Sequence, residues 1–220
     1  MNVYGKNDEG AATYPYEQQF EAVQEEDLQL NQDATKTSGF PFFSILIWSL
    51  FATVISGVVP FIFGLVSPQQ MQDFYTGWAL HQNGQIYTDY YGSNGLLYYL
   101  LIYLSQGSIL FALAEWVALF GAGFFLFKSA NTLTGQRGQA RQLLAIFYLL
   151  VASLGFGGSY AVIVAMPFLF YAFSLIADYL ENPINDKGFL LVGMSLALAF
   201  FLSPIPTLLF ALALALMLLG

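Results

Sequence analysis

There is no cysteine anywhere in the 220 residues, and only one histidine, His81. Without thiols the chain forms no disulfide, no thiolate metal site and no cysteine nucleophile. A single imidazole likewise excludes a metal site built from several histidines. Charge is the next scarcity: 9% of the residues are charged, against about 25% in an average soluble domain. A soluble fold so poor in charge would expose large apolar patches and aggregate, so lipid is the expected solvent for most of this chain. Basic residues are scarcest of all, six against fourteen acids. That balance, with no basic patch, argues against nucleic acid as a partner. No phosphate loop, dinucleotide fingerprint or nucleophile elbow occurs.

What is present is apolar (57%) and aromatic (18%). The net charge of −8 is local, because eight of the acids precede residue 34. Residues 1–39 form an acidic, Gln-rich tail without the basic start and apolar core of a signal peptide. Phe20, Val23, Leu28 and Leu30 would suit a short helix, but so little apolar surface cannot offset the ordering entropy, and the tail reads as mostly disordered.

From residue 40 onward the sequence predicts an all-α fold, a polytopic transmembrane helix bundle. Spans are expected at about 41–66, 109–127, 142–156, 160–180, 189–202 and 207–220. The first contains no charge and is long enough to cross ~30 Å of hydrocarbon, with Pro60 kinking its later part. Residues 67–94 form a polar loop, and residues 95–105 (GLLYYLLIYLS) are apolar but too short to span. They read as a helix lying in the interface, a depth that suits tyrosine. The breaks fall at Gly155–Gly158, at ENPINDKG and at Ser203-Pro204-Ile205-Pro206. The last apolar run reaches Gly220 without a flanking charge, as expected of part of a longer protein.

With these spans, Lys6, Lys36, Lys128, Arg137, Arg141 and Lys187 all fall on one side. Cytoplasmic loops retain Lys and Arg. The chain is therefore expected to be a multi-pass protein of the cell membrane with a cytoplasmic amino terminus and the 67–94 loop outside.

Read as a helix, residues 69–83 place Met71, Phe74, Tyr75, Trp78 and Ala79 on one apolar stripe. Such a helix would lie flat on the outer surface, stripe in lipid, with Asp73 on its wet face. A carboxylate there is either simply solvated or placed to take a proton from an incoming hydroxyl. Asp89 sits in a Gly-, Ser- and Asn-rich turn beside Tyr87, Tyr90 and Tyr91. Those tyrosines suit stacking on sugar rings, and equally suit membrane anchoring. His81 is a candidate proton carrier or a plain surface residue. Glu115 lies within the second span, where a carboxylate costs a few kcal/mol unless it meets a polar cavity. Asp178 lies near the inner end of the fourth span and should reach the surface.

The order of tail, span, acid-bearing outer loop, interfacial helix and further spans resembles the GT-C fold membrane glycosyltransferases. The closest likeness is to the protein-mannosyltransferase-like group that uses polyprenyl-phosphate sugars. The matching residues are Asp73-Phe74-Tyr75, Asn83-Gly84-Gln85-Ile86-Tyr87-Thr88-Asp89, the helix from Leu96 to Leu101, Leu133-Thr134-Gly135 and the stretch from Gly193 to Pro204. Two positions depart from the family. Its usual Pro-Pro-Leu is Asn94-Gly95-Leu96 here, and an Arg common early in the second span is replaced by Glu115. The resemblance implies sugar transfer from a polyprenyl-phosphate-linked sugar to a glycan, lipid or protein acceptor at the outer membrane face. Asp73 would be the catalytic base. Asp89, Tyr87, His81 and Glu115 would contact substrate, with Asp89 assisting the acceptor or a divalent metal ion. No nucleotide-sugar site and no other cofactor are implied. A transporter or flippase, drawing on Glu115 and the Pro204/Pro206 break, is the rival reading, although no internal repeat is apparent. A non-catalytic membrane partner protein is a third.

Overall fold

A computed structural model describes residues 41–65, 67–82, 84, 94–106, 108–154, 160–181 and 187–219. The acidic tail, and with it every feature expected of residues 1–39, lies outside the described residues, as do Tyr87 and Asp89. Among the described residues all regular structure is helical.

The first apolar run is one continuous rod made of three pieces. Helix α1 (Phe42–Thr53) passes into a π-helical segment (Val54–Val58), which passes into α2 (Val59–Phe63). The wide turn is closed by the Val59 N–H bonding to the Val54 carbonyl. It stands immediately before Pro60, which has no N–H to offer the preceding turn. The expected distortion at this proline thus takes the form of a π-bulge, a device often found at functional sites.

Helix α3 (Pro68–His81) starts where its sequence says it should. The Ser67 hydroxyl accepts from the Gln70 N–H at 3.2 Å, and the Gln70 side-chain oxygen accepts from the Ser67 N–H at 3.0 Å. This reciprocal capping box is reinforced by Pro68 in the first turn. Helix α4 (Leu96–Ser105) follows, and then the long α5 (Phe111–Thr134). Helices α6 (Arg137–Leu154), α7 (Tyr160–Glu181), α8 (Lys187–Leu202) and α9 (Pro204–Leu219) complete the chain.

Two boundaries differ from the sequence reading. The stretch from Lys128 to Arg141 is not a loop: α5 continues through Lys128 to Thr134, and Arg137 and Arg141 already belong to α6. Charge suggested an end, but nothing breaks the helix before Gly135, whose φ of 63° closes α5 in the left-handed region. Similarly, α9 begins at Pro204 rather than after Pro206, because proline is tolerated in a first helical turn.

The core is built around Ile45, Tyr98, Ile102, Leu119, Leu144, Tyr148 and Ala165, with α5 at its centre. A smaller cluster of Ala172, Ile176, Val192 and Leu214 joins α7, α8 and α9. The outward faces are also apolar. Phe43, Phe63 and Leu190 are each at least 70% exposed, and many other large apolar side chains face outward with them. Two helices, Phe111–Thr134 and the Ala161–Glu181 part of α7, are long and apolar enough to cross a membrane.

Candidate functional site

Asp73 is the centre of a buried polar cluster between α3 and α4. It is only 3% exposed. The Tyr98 hydroxyl donates to its Oδ2 at 2.9 Å, and the Asn94 amide lies 3.5 Å from its Oδ1. The expectation of a solvated Asp73 is therefore corrected: its face of α3 is packed against α4. Gln70, Thr76 and Ala79 on α3 are buried as well. Met71, Tyr75 and Trp78 point outward, more than half exposed, while Phe74 packs against the core. The apolar stripe thus divides between the protein and the exterior, and the polar stripe turns toward Tyr98 and Asn94. A buried carboxylate needs hydrogen-bond donors to offset lost hydration, and α4 supplies them.

The partners are themselves fixed. The Gly95 N–H bonds to the Leu202 carbonyl at 3.0 Å. A Cβ at position 95 would sit 2.0 Å from the Phe201 carbonyl oxygen, so only glycine lets α4 begin this close to the end of α8. The end of α8 therefore anchors Gly95, the residue preceding α4, and with it its neighbour Asn94 beside Asp73. Tyr98 is fully buried and meets Phe111 edge-to-face at 5.8 Å. Sequence reasoning counted Tyr98 only among the interfacial tyrosines.

His81 takes no part in this cluster's hydrogen bonds. It is exposed, its Nε2 lies 2.6 Å from the Tyr103 carbonyl, and its ring stacks on that of Tyr103 at 4.2 Å. It ties the end of α3 to the last turn of α4.

Glu115 is fully buried on α5. Its Oε1 accepts from the Ser56 hydroxyl at 2.6 Å, inside the π segment. Its Oε2 has no hydrogen-bond partner among the described residues. Beside it is a cavity of about 10 Å³ bordered by Gly57, Phe74, Ser108 and Phe111, room for roughly one water molecule and far too small for a sugar ring. An apolar cavity of about 660 Å³ opens between α4, α5, α7 and α8. Leu97, Leu101, Val117, Pro167 and Phe168 are among the side chains lining it. Among the described residues no cluster of three or more His, Asp or Glu side chains is arranged to hold a metal ion.

A family model described as the competence-induced protein Ccs4 N-terminal domain matches residues 30–220. The chain belongs to that family. No curated protein and no solved structure matches it. The Ccs4 N-terminal domain match includes every described helix, so the Asp73 cluster and the Glu115–Ser56 contact both lie within the family's domain.

Proposed function

We propose that the chain is the membrane-embedded part of a polytopic glycosyltransferase of GT-C type, moving a sugar from a polyprenyl-phosphate donor to an acceptor at the outer face. One observation carries the reading. A carboxylate is held by Tyr98 and Asn94 on a short helix pair, and α4 of that pair also borders a large apolar cavity. The cavity would receive the isoprenoid chain of the donor, while Asp73 would stand near the phosphate end and take the proton from the acceptor hydroxyl. The outward apolar surfaces of the helices would supply the lipid-facing wall, and the one-sided placement of Lys and Arg favours α3 and α4 outside.

Asp89 and Tyr87, in the segment between α3 and α4, would bind the acceptor or assist a divalent ion. A transporter reading would draw on Glu115, but a cavity of about 10 Å³ beside it offers no path for a solute.

The test is sugar transfer from a polyprenyl-phosphate donor by the full-length protein in lipid. Asp73→Asn should lower transfer about 10²- to 10⁴-fold, the range of general-base catalysis. Transfer by the Asn variant at the parent rate would overturn the reading. This chain contributes no cysteine of its own to the labelling background of the topology test. Gln82→Cys should react with an impermeant thiol reagent on intact cells, and Gln136→Cys should not. Both positions are exposed. The reverse pattern would put Asp73 on the wrong side for an outer-face acceptor.

A further inference from the structure

We infer that Glu115 is a positioning residue: it locks the π segment of the first rod to α5 and thereby holds α3 and Asp73 in register with Tyr98. The inference rests on the catalytic reading of Asp73 given above.

Three contacts carry it. First, Glu115 Oε1 and the Ser56 hydroxyl are 2.6 Å apart, across 59 residues of sequence. The Ser56 oxygen also lies 2.7 Å from the Ala52 carbonyl; its single proton serves the carboxylate or that carbonyl, one at a time, and the hydroxyl stands between α5 and the backbone just where the helix widens. Second, the neighbouring residue is shaped to admit the carboxylate. A Cβ at Gly57 would be 2.7 Å from Glu115 Oε2. Third, the same small cavity is walled by Phe74 of α3 and Phe111 of α5. Phe74 adjoins Asp73 in the chain, and Phe111 lies one helical turn before Glu115 and packs on Tyr98.

Glu115 and Phe111 therefore present one face of α5 to both halves of the Asp73 arrangement. Phe111 backs Tyr98, the donor to Asp73. Glu115 grips the rod that leads, through α2 and the Ser67 cap, into α3. If the Ser56 contact is lost, the π segment, still widened by Pro60, is no longer tied to α5. The rod can then turn about that segment, and α3 is the first element beyond it to feel the turn. The full burial of Glu115 and the size of its cavity leave it no room to touch a sugar, so its influence on transfer runs through position.

The experiment uses the full-length protein in lipid, with spin labels at Gln72→Cys on α3 and Gln142→Cys on α6, both exposed in the parent. The parent should give one narrow distance distribution. Glu115→Gln keeps the side-chain length and a hydrogen-bonding atom facing Ser56, and should keep the distribution narrow. Glu115→Ala should broaden or shift it. Ser56→Ala, which removes only the hydroxyl, should do the same and serves where Glu115→Ala folds poorly. In the transfer assay Glu115→Ala should lower kcat at least 10-fold with little change in the KM for donor, and Glu115→Gln should restore most of the rate. An unchanged narrow distribution in both Glu115→Ala and Ser56→Ala would overturn the positioning role. So would a Gln variant that keeps the parent distribution yet loses transfer as completely as Ala. If the parent itself transfers no sugar, the catalytic reading of Asp73 fails, while the label distances still decide whether Glu115 fixes α3.

Discussion

The two ends of α5 handle a carboxylate in opposite ways. At the Phe111 end, Asp73 is buried, and donors from Tyr98 and Asn94 orient it. At the other end, about 25 Å away along the helix axis at 1.5 Å per residue, Asp178 of α7 accepts from the Lys128 ammonium at 2.6 Å. Both partners there are more than 40% exposed. A carboxylate fixed by a phenol and an amide has its direction set by short, well-packed groups. A carboxylate in an exposed ion pair is held by a long, mobile side chain and screened by solvent. The first arrangement suits chemistry that depends on orientation. The second merely gives an acid and a base at the helix ends something to do besides meet lipid.

The largest effect should come from breaking the anchor of the Asp73 end. Gly95→Ala would place a methyl group 2.0 Å from a backbone oxygen of Phe201. Backbone cannot rotate away as a side chain can, so the start of α4 must move off α8, carrying Asn94 and Tyr98 with it. Overpacking of this kind costs about 1–3 kcal/mol or more, and the expected result is a clear loss of thermal stability in detergent together with loss of transfer. Parent-like behaviour in both would show that α4 is not anchored through Gly95.

Tyr98→Phe is the subtler cut at the same end. It removes the donor to Asp73 Oδ2 while keeping the ring against Phe111. A buried acceptor left short of a donor costs about 1–3 kcal/mol. The melting temperature should fall modestly, and transfer should fall further than stability alone explains, because Asp73 loses its orientation. If stability falls and the rate per folded molecule does not, Tyr98 serves the fold and not the reaction.

The difference between the ends also shows what the sequence could disclose. Most helical segments were visible in it: a helix over about 69–83, the apolar run of α4 and a break near Ser203-Pro204 were all expected, whereas the Ser67 capping box and the run of α5 through Lys128 were not. The side of Asp73 on α3 was visible too, since helical periodicity separates it from Met71, Tyr75 and Trp78. What that face meets was not. A polar stripe can face water or a partner helix with equally polar side chains, and only the Gly95 contact with α8, 106 residues on by sequence number from 95 to 201, decides for the second. The Glu115–Ser56 bond was hidden for the same reason: an acid in a span announces a polar neighbour without saying which of the preceding serines it is.

The smallest effect is expected at the Lys128 end, and it tests whether the contrast is real. Lys128→Gln removes the charge from a pair whose side chains are 43% and 41% exposed. Exposed ion pairs are worth about 0–1 kcal/mol, because Coulomb attraction in a high-dielectric setting is weak and two long side chains lose freedom to form it. What remains should be weaker still in high salt, where surface charges are screened beyond about 3 Å at 1 M. Asp178 keeps access to solvent when Lys128 is gone, so no buried charge is left behind. The melting temperature of Lys128→Gln in detergent should therefore lie close to that of the parent, and any small gap should close as salt is raised. Transfer should be unaffected, since the pair lies at the far end of α5 from Asp73. A fall in stability as large as that of Tyr98→Phe, persisting in high salt, would mean that both ends of the helix are held by comparable forces and that the buried cluster around Asp73 is not set apart.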